Sequence, residues 1–524
     1  MENSEKSQSV AFFCLEYELE DKLPIYAGGL GALAGDYLLE AGKQGLRFWG
    51  IGLFYHHELT DPANSGFQIL KDKSGKEILI EVDIKNPPVF AKVWQKSYGS
   101  AQLFLLDTNI PENTSEDQNI TKILYDPNPK NLLLQQLVLG IGGTKLLDFL
   151  GFKPDVYHLN EGHTSFAILG LLAKQGLVLP PQNLIVATKH TIFSGAGIYI
   201  TRDEFNQLLS YFCNRYKLDI EKLFSAGSSL LHPNHFSTTR FLLVYCQKSN
   251  CVSQSHCFAE SQVHPDSQLI NITNGINPDH WQASGWQEIE EEKSTPEQIW
   301  GLHQNCKKEM LDLVGKNLNP DFLTLVWARR ITSYKRPLLI FSDLQRLSKL
   351  LNNPDRPVQI IIAGKIKEGD PEGLELENQI TYFCQNPQLA KRIIFCPTYC
   401  LPIARKLVTG ADVWLSTPEI GKEACSTSGM KSGLNGVLQL STNDGWVTEV
   451  DWNHFGWIIP ENNVSQNLYA ILENEVIPLY YDRNKNRLPE KWVERMRQTR
   501  KLIQAKYTTA RMLKEYQNKL YHFK

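Results

Sequence analysis

Three features are missing from this sequence of 524 residues, and each absence narrows what it can be. No stretch of 18 uncharged apolar residues occurs, and the best candidate, LLLQQLVLGIGG, is short and holds two glutamines, so no transmembrane helix is predicted. The first ten residues, MENSEKSQSV, lack the apolar core of a signal peptide. A net charge of -3 gives no broad basic face that would favour nucleic acid. We therefore expect a cytoplasmic protein with neither a membrane nor a nucleic-acid partner.

No CxxC pair occurs among the ten cysteines, which argues against a structural zinc site. Several cysteines instead lie inside apolar runs, such as Cys14 in AFFCLEY, Cys246 in FLLVYC and Cys396 in IIFC. This pattern is typical of buried free thiols in a reducing compartment. No metal site is predicted.

Short apolar runs rich in β-branched residues recur along the chain, and each ends at a polar or glycine cluster. They are VAFFCLEY, VYHLNEGH, LIVATKH, LTLVWARR, QIIIAGK, RIIFCP and VWLSTPE. Such runs between helix-like stretches predict parallel strands that are buried on both faces. Ligands of these sheets bind beyond the carboxyl ends of the strands. We therefore expect the chemistry at His163, His190, Arg329, Arg330, Lys365 and Glu423.

The strand runs fall into two groups, one ending near residue 280 and the other beginning near 320. We predict an α/β protein with an N-terminal Rossmann-like domain over 1–285 and a second over 319–487. The charged, helix-like segment between them is predicted to be a linker over 286–318. Residues 488–524 are predicted to form helices that pack across the domains, with one apolar face formed by Met512, Leu513, Tyr516 and Leu520.

The loop EACSTSGMKSGLNG, residues 423–436, carries the sharpest chemical signal. One lysine, Lys431, follows small residues that let backbone N–H groups approach an anion closely. A lysine held there can bind an aldehyde cofactor covalently. Taken alone, the loop is equally compatible with a surface loop that carries a solvated lysine.

Four cations crowd the end of the apolar run LTLVW, in WARRITSYKRP, residues 327–337. Arginine suits bidentate phosphate binding, and lysine acts as a point charge. Cations are unfavourable at a helix N-terminus, so a basic solvated helix start explains this cluster less well than an anion site does.

Glycines and histidines mark two further places. The loop PIYAGGLGALAGDYL, residues 24–38, precedes an apolar helix, but its glycine spacing does not fit a nicotinamide-binding fingerprint. The runs HLNEGHTSF and ATKHTIFSG place Glu161, His163 and His190 after strands. A lone histidine at such a place is more often a hydrogen-bonded structural residue, but two of them near a glycine loop favour a functional role.

Together these motifs resemble the glycogen/starch phosphorylase family, particularly its shorter bacterial and archaeal α-glucan phosphorylases. The resemblance runs from Val10 to the C-terminal helix, in the order GGLG, HLNEGH, a His-Thr pair, NxVSxxH, ITNGI, ARRxxxYKR, AGK, TSGMK with LNG, and DGW. It implies two facing Rossmann-like domains of the GT-B type with the active site in the cleft between them. It implies reversible phosphorolysis of α-1,4-glucan to α-D-glucose 1-phosphate, with pyridoxal phosphate as cofactor. The implied partners are an α-glucan (glycogen, starch or maltodextrin) and inorganic phosphate; a homo-oligomer is left open.

The resemblance also implies roles for individual residues. The implied catalytic residues are Lys431, Arg329, Arg330, Lys335 and His190. The implied cofactor-binding residues are Lys431, Thr427, Ser428, Gly29, Tyr399 and Trp281. The implied substrate-binding residues are Gly28, Asn274, Glu423, Cys425, Ser426, Glu161, Val252 and Tyr334.

Some positions depart from the family pattern. The usual EASGTSGMK is EACSTSGMK here, so Cys425 replaces serine and Ser426 replaces glycine, and the usual HTPVPAG is HTIFSGAG. We expect the first two changes to compensate, with the Ser426 hydroxyl serving the sugar in place of the one lost at Cys425. The departures leave open a degenerate paralogue that binds glucan or cofactor with little turnover. A nucleotide-sugar glucosyltransferase such as a glycogen synthase also stays open, since it shares the fold.

Overall fold

A computed structural model describes residues 8–23, 25–56, 61–175, 184–192, 198–229, 232–290, 292–314, 317–367, 369–389 and 391–522. The chain divides into two compact units. Unit 1 comprises Met1–Ile272 and Met512–Lys524, and unit 2 comprises Thr273–Arg511.

Unit 1 is built on a ten-stranded sheet with the order β12-β11-β8-β7-β1-β2-β6-β5-β3, in which β4 also pairs with β5. Strands β5, β3 and β4 form the antiparallel end, and the other neighbours are parallel. The strands of unit 1, including the separate β9–β10 pair, are β1 (Ser9–Phe13), β2 (Arg47–Leu53), β3 (Gln68–Ile69), β4 (Leu79–Val82), β5 (Val89–Tyr98), β6 (Ala101–Asp107), β7 (Val156–Asn160), β8 (Leu184–Lys189), β9 (Tyr199–Thr201), β10 (His235–Ser237), β11 (Lys248–Cys251) and β12 (Leu269–Asn271).

Helices join the parallel strands of unit 1. They are α1 (Gly29–Lys43), α2 (Ser115–Gln118), α3 (Pro129–Leu137), α4 (Gly143–Phe149), α5 (Ala167–Gln175), α6 (Arg202–Tyr216), α7 (Ile220–Gly227), α8 (Thr238–Tyr245) and α9 (Gln254–Val263). Chain order reverses between β1 and β7, which makes the carboxyl ends of these two strands the switch point of the sheet.

Unit 2 is built on a six-stranded parallel sheet with the order β15-β14-β13-β16-β17-β18, the doubly wound order of dinucleotide-binding folds. Its switch point lies between β13 and β16. The strands are β13 (Leu323–Ala328), β14 (Val358–Ala363), β15 (Ile393–Cys396), β16 (Val413–Ser416), β17 (Leu438–Thr442) and β18 (Gly456–Ile459). The helices are α10 (Pro278–Trp281), α11 (Pro296–Val314), α12 (Leu344–Leu351), α13 (Pro371–Cys384), α14 (Leu401–Gly410), α15 (Thr427–Leu434), α16 (Val464–Ile471), α17 (Ile477–Tyr481), α18 (Glu490–Lys506) and, across the return to unit 1, α19 (Thr509–Glu515).

The predicted α/β class with parallel sheets is confirmed, and each of the seven apolar runs contains a parallel strand. The division of the chain differs from the predicted one. Unit 1 ends at Ile272 rather than at 285, because the next segment hydrogen-bonds to unit 2, where the Thr273 hydroxyl donates to Glu449 at 2.8 Å.

The segment predicted to be a linker, 286–318, contains α11, which is part of unit 2. Lys307 on its buried face donates to the carboxylate of Asp412, at the start of β16. The C-terminal segment divides, with α18 in unit 2 and the chain from Met512 onward in unit 1. Its four predicted apolar residues are buried there, in the core of unit 1: Met512, Leu513, Tyr516 and Leu520.

The helical stretch Pro129–Phe149 is long and apolar enough to cross a membrane by length and composition. However, 72% of its most apolar window is buried inside the protein, as in the core helix of a globular unit.

Candidate active site

The cations predicted after β13 lie at the switch point of the sheet of unit 2. Arg329 directly follows β13, and its Nη2 donates to the hydroxyl of Ser416, the last residue of β16, at 2.7 Å. The same nitrogen donates to Ser426 at 3.3 Å and to Ser428 at 3.4 Å, at the N-terminus of α15. The Nε–H of Arg329 is buried and has no hydrogen-bond partner among the residues that the structure describes. One buried donor of this guanidinium is therefore left for a ligand.

Glu423 is shared by two of the predicted cations. Its Oε2 lies 3.4 Å from Arg329 Nη1 and 3.4 Å from Lys335 Nζ. The backbone N–H of Glu423 donates to the carboxylate of Asp444 at 2.8 Å, which fixes the loop before α15. Burial raises the pKa of the Asp444 carboxyl.

Positive charge exceeds negative charge around Lys335. The charged groups that act most strongly on it are one carboxylate, Glu423, and two guanidinium groups, Arg329 and Arg330. Burial, together with these arginines, lowers the pKa of Lys335 to about 8. Adding an anion would remove this penalty, so the cluster has the electrostatics of an anion-binding site.

The predicted cofactor lysine, Lys431, is buried in the middle of α15. Its Nζ lies 3.5 Å from the ring centroid of Trp281, at the end of α10. Trp281 is itself held, because the Asn435 side chain donates to its carbonyl at 2.9 Å. Lys431 stands three residues after Ser428, so the two share a face of α15. Lys431 therefore lies on the face of α15 whose Ser428 contacts Arg329.

Two further predicted residues are buried beside the loop that precedes α15. The backbone of Asn274 contacts the Cys425 thiol, and burial raises the pKa of that thiol. The Asn274 Oδ1 atom is buried and has no hydrogen-bond partner in the described part of the chain. It can accept a hydrogen bond from a ligand hydroxyl.

In unit 1, Glu161 and His190 are joined at the carboxyl ends of β7 and β8. Glu161 is buried and has φ 70 and ψ 165, a conformation that is rare for any residue but glycine. Its carboxylate accepts from the backbone N–H of His190 and, at 3.3 Å, from that of Gly162. The His190 ring lies 2.6 Å from Asn160 Oδ1. Burial lowers the pKa of His190 well below its usual value, so the ring is uncharged at neutral pH.

The glycine loop, residues 24–38, contacts the chain that follows β1, at the switch point of the sheet of unit 1. The carboxylate of Glu16, which follows β1, accepts from the N–H of Ala27 at 2.7 Å and of Gly28 at 3.1 Å. A Cβ placed on Gly28 or Gly29 would meet no atom of the described residues within 4 Å. By contrast, a Cβ on Gly35 would lie 2.0 Å from a backbone carbonyl oxygen. Packing thus accounts for the later glycine, whereas Gly28 and Gly29 keep space open at the start of α1.

Comparison with known proteins decides the family. The sequence profile of carbohydrate phosphorylases matches residues 270–518. The chain is similar over 98% of its length to a glycogen phosphorylase of Aquifex aeolicus, with 32% identity and 86% of that protein covered. It is similarly related to a maltodextrin phosphorylase of Thermococcus litoralis, with 31% identity and 70% of that protein covered. The chain belongs to the carbohydrate phosphorylase family. The resemblance inferred from the motifs is thereby confirmed.

A third relative of this phosphorylase-family chain matches it from end to end. It is an uncharacterised protein of Methanocaldococcus jannaschii, 29% identical over 98% of this chain and 99% of that protein. The family profile spans the whole Arg329–Lys431 cluster of unit 2.

The remaining predicted residues of this phosphorylase-family chain differ in their surroundings. Arg330 is exposed and hydrogen-bonds Tyr334, whereas Thr427 is the first residue of α15. Tyr399 follows β15, at the edge of the sheet and two strands from β13. In unit 1, the N–H of Val252 donates to the His256 ring at 3.4 Å. Residues 193–197, which contain most of the altered HTIFSGAG segment, lie outside the described residues.

Three residues that contribute to the site were not singled out from the sequence: Ser416, Asp444 and Asn435. Each acts on a residue distant in the chain, holding Arg329, Glu423 or Trp281 respectively. The motifs DGW and LNG contain Asp444 and Asn435, so the signal was present without a role attached to it.

The residues of unit 2 fit the cofactor that the carbohydrate phosphorylase family implies. A phosphate group needs several donors and a surplus of positive charge, which Arg329, Lys335 and the N-terminus of α15 provide. The buried Nε–H of Arg329, which has no partner within the described ranges, is a donor that a phosphate oxygen can use. Lys431 is buried on the helix face that also carries Ser428, where an aldehyde could reach it.

Proposed function

We propose that this chain is an α-1,4-glucan phosphorylase that uses pyridoxal phosphate and inorganic phosphate to form α-D-glucose 1-phosphate. The observation that carries the proposal is the positive cluster of buried Arg329 and half-buried Lys335, with Lys431 on the face of α15 whose Ser428 contacts Arg329. The names of the two relatives described above, a glycogen and a maltodextrin phosphorylase, support an α-glucan as substrate. The proposal includes the two facing domains that the resemblance implies.

In the proposed reaction, the bond between the terminal glucosyl C1 and the 4-oxygen of the next glucose breaks. A bond from C1 to a phosphate oxygen forms with retention, and the released 4-oxygen receives a proton. Two unit negative charges ~5 Å apart repel by roughly 3 kcal/mol at an effective dielectric of 20, and each phosphate can carry more than one. Arg329, Arg330 and Lys335 offset this repulsion between the substrate phosphate and the cofactor phosphate.

When bound, pyridoxal phosphate supplies a phosphate whose second pKa, near 6, suits proton relay at neutral pH. Lys431 would hold its aldehyde end, and Thr427 and Ser428 would hold its phosphate end at the N-terminus of α15. Trp281 would exclude water from the lysine side. In this arrangement the residues of the chain bind and orient the cofactor and the substrates. Their positive charges lie where the two phosphates approach each other.

The sugar would be held by neutral hydrogen-bonding groups. Asn274 has a free buried acceptor, and His190 is uncharged because burial lowers its pKa. Glu423 would accept from a 2- or 3-hydroxyl of the glucosyl unit. A glycosidase would need two opposed carboxylates, and the motifs identify no such pair.

The test of the cofactor assignment is borohydride reduction of the purified protein followed by peptide mapping. The label is expected on Lys431, and Lys431→Ala should abolish it. Lys422→Ala is the matched control, because Lys422 lies in the same loop with its side chain paired to Glu419 instead. A label on another lysine, or a protein free of cofactor after growth with ample vitamer, would overturn the assignment.

A further inference from the structure

Ser426 has a backbone conformation that side chains disfavour. It stands at the N-cap of α15 with φ 70 and ψ 62, in the left-handed region, and its side chain makes no capping hydrogen bond. Glycine adopts this conformation without steric cost, and serine does not. Some other interaction of the serine must offset this steric cost, because its side chain does not cap the helix.

The hydroxyl of Ser426 has a buried partner, the guanidinium of Arg329. Nη2 of Arg329 donates to Ser416 at 2.7 Å, and Ser426 and Ser428 accept from the same nitrogen at 3.3 and 3.4 Å. All three contacts hold the same end of the guanidinium, and the two N–H groups of Nη2 are shared among the three hydroxyls, with Ser416 the nearest. The Nε–H, on another edge, is buried and meets no acceptor in the part of the chain that the structure describes.

The neighbouring Cys425 does not share this contact. Its thiol is buried against the backbone of Asn274, and its carbonyl oxygen would lie 2.5 Å from a Cβ added to Gly445. The two altered residues of the loop therefore face different surroundings. A simple exchange of hydroxyls between them, as expected from the sequence, is not the arrangement these contacts favour.

We propose that Ser426 is a positioning residue for anion binding. Its hydroxyl fixes the Arg329 guanidinium so that the unpartnered Nε–H remains available to an oxyanion, and the left-handed backbone is retained for that hydroxyl. The anion is inorganic phosphate, and this choice rests on the proposed function. The role of the hydroxyl rests on the contacts of Arg329 alone.

The experiment compares two variants with a matched control. Ser426→Gly removes the hydroxyl and relieves the backbone, whereas Ser426→Ala removes the hydroxyl and keeps the left-handed cost. The control is Asn463→Gly, at the exposed N-cap of α16, which also has a left-handed backbone (φ 56) and no capping bond. Binding of inorganic phosphate to each protein as purified is measured by titration calorimetry, and stability by the thermal midpoint without phosphate.

Both Ser426 variants are expected to bind phosphate about three- to tenfold more weakly, the loss of one hydrogen bond. Ser426→Gly should nevertheless melt at or above the wild-type temperature, and Asn463→Gly should bind phosphate like the wild type. Wild-type affinity in Ser426→Gly would overturn the proposal, and so would a wild type that binds no phosphate. A separate assay of glucose 1-phosphate formation by the wild type tests the proposed function on its own. A protein whose phosphate affinity depends on Ser426 but that forms no glucose 1-phosphate would refute the proposed function and leave the role of Ser426 intact.

Discussion

The ammonium group of Lys431 lies 3.5 Å from the ring centroid of Trp281, and both groups are buried. This contact stabilises the charged amine and does not itself favour a bond to an aldehyde, but removing the ring would leave a cavity that admits water beside Lys431. We predict that Trp281→Leu retains less pyridoxal phosphate per chain than the wild type, while Trp281→Phe retains more than Trp281→Leu. The absorbance spectrum of the desalted protein measures the cofactor. Trp300→Leu is the control, because Trp300 forms a similar pair with Arg483 elsewhere in unit 2; equal cofactor loss in both leucine variants would contradict the assignment.

Lys335 is expected to make the proposed use of phosphate sensitive to alkaline pH. Because burial lowers its pKa to about 8, its positive charge is lost as the pH rises through that value. We predict that kcat/KM for phosphate falls by about tenfold per pH unit above pH 8, since this parameter reports the free enzyme. Lys335→Arg, which stays charged, should flatten this limb, whereas Lys335→Ala should lower kcat/KM by about 10²–10³ near neutral pH.

An unchanged alkaline limb of the pH profile in Lys335→Arg would assign the loss of activity to another group.

The lowered pKa of Lys335 also has a consequence for folding. Between pH 8 and the usual pKa of 10.5, the unfolded chain still binds the proton that folded Lys335 has released. The contribution of Lys335 to folding therefore becomes more favourable as the pH rises through this window.

Glu161 is expected to stabilise the loop that carries His190. Glu161→Ala leaves the N–H groups of His190 and Gly162 without their acceptor, at about 1–3 kcal/mol for each one that water cannot reach. Glu161→Gly should be less destabilising than Glu161→Ala by about 1 kcal/mol, because it relieves the strained backbone. Urea unfolding measures both. Glu204→Ala, which removes an exposed carboxylate from the capping box of α6, should cost only about 1 kcal/mol, and a similar cost for Glu161→Ala would argue against this role.

Asp412 forms a buried polar cluster that we predict to be structural. Its carboxylate accepts from His303 at 2.8 Å, from the Thr324 N–H at 2.7 Å and from Lys307. The side chains of His303 and Lys307 are almost fully buried. Burial alone would raise the pKa of Asp412, but Lys307 and His303 hold it below its usual value. This stabilisation is present above the usual pKa of 3.8 and is lost as the pH falls through the lower value of the folded state.

We predict that Asp412→Ala lowers the free energy of unfolding by about 3–5 kcal/mol, because it leaves Lys307 buried and unpaired. Any folded fraction should bind phosphate with wild-type affinity, since Asp412 precedes β16 and the anion cluster follows it. Glu116→Ala is the matched control: it breaks an exposed ion pair with Lys130 and should cost about 0–1 kcal/mol. Weaker phosphate binding by folded Asp412→Ala would contradict the separation of the two sites.

The strands that the sequence predicted well are those buried on both faces, such as β13 and β14, because burial forces a continuous apolar run. β11, with the polar sequence KSNC, carries no such signal. The cations after β13 and the lysine of α15 could be predicted because unusual chemistry is concentrated in few residues. The hydroxyl of Ser416 could not, because its role depends on a contact with Arg329, 87 positions away. The boundary at Ile272 was missed for the same reason: the contacts of the following segment with Glu449 and Asn435 are tertiary.

The most direct measurement of the proposed function is analysis of the products formed from maltodextrin and isotopically labelled inorganic phosphate. We predict α-glucose 1-phosphate that carries the label, together with a glucan one unit shorter, and a rate that falls with Arg330→Ala or Lys335→Ala. Release of unphosphorylated glucose would indicate a hydrolase, and activity only with a nucleotide sugar would indicate a synthase. No product from a fully cofactor-loaded protein would indicate a degenerate paralogue, and any of these three results would contradict phosphorolysis.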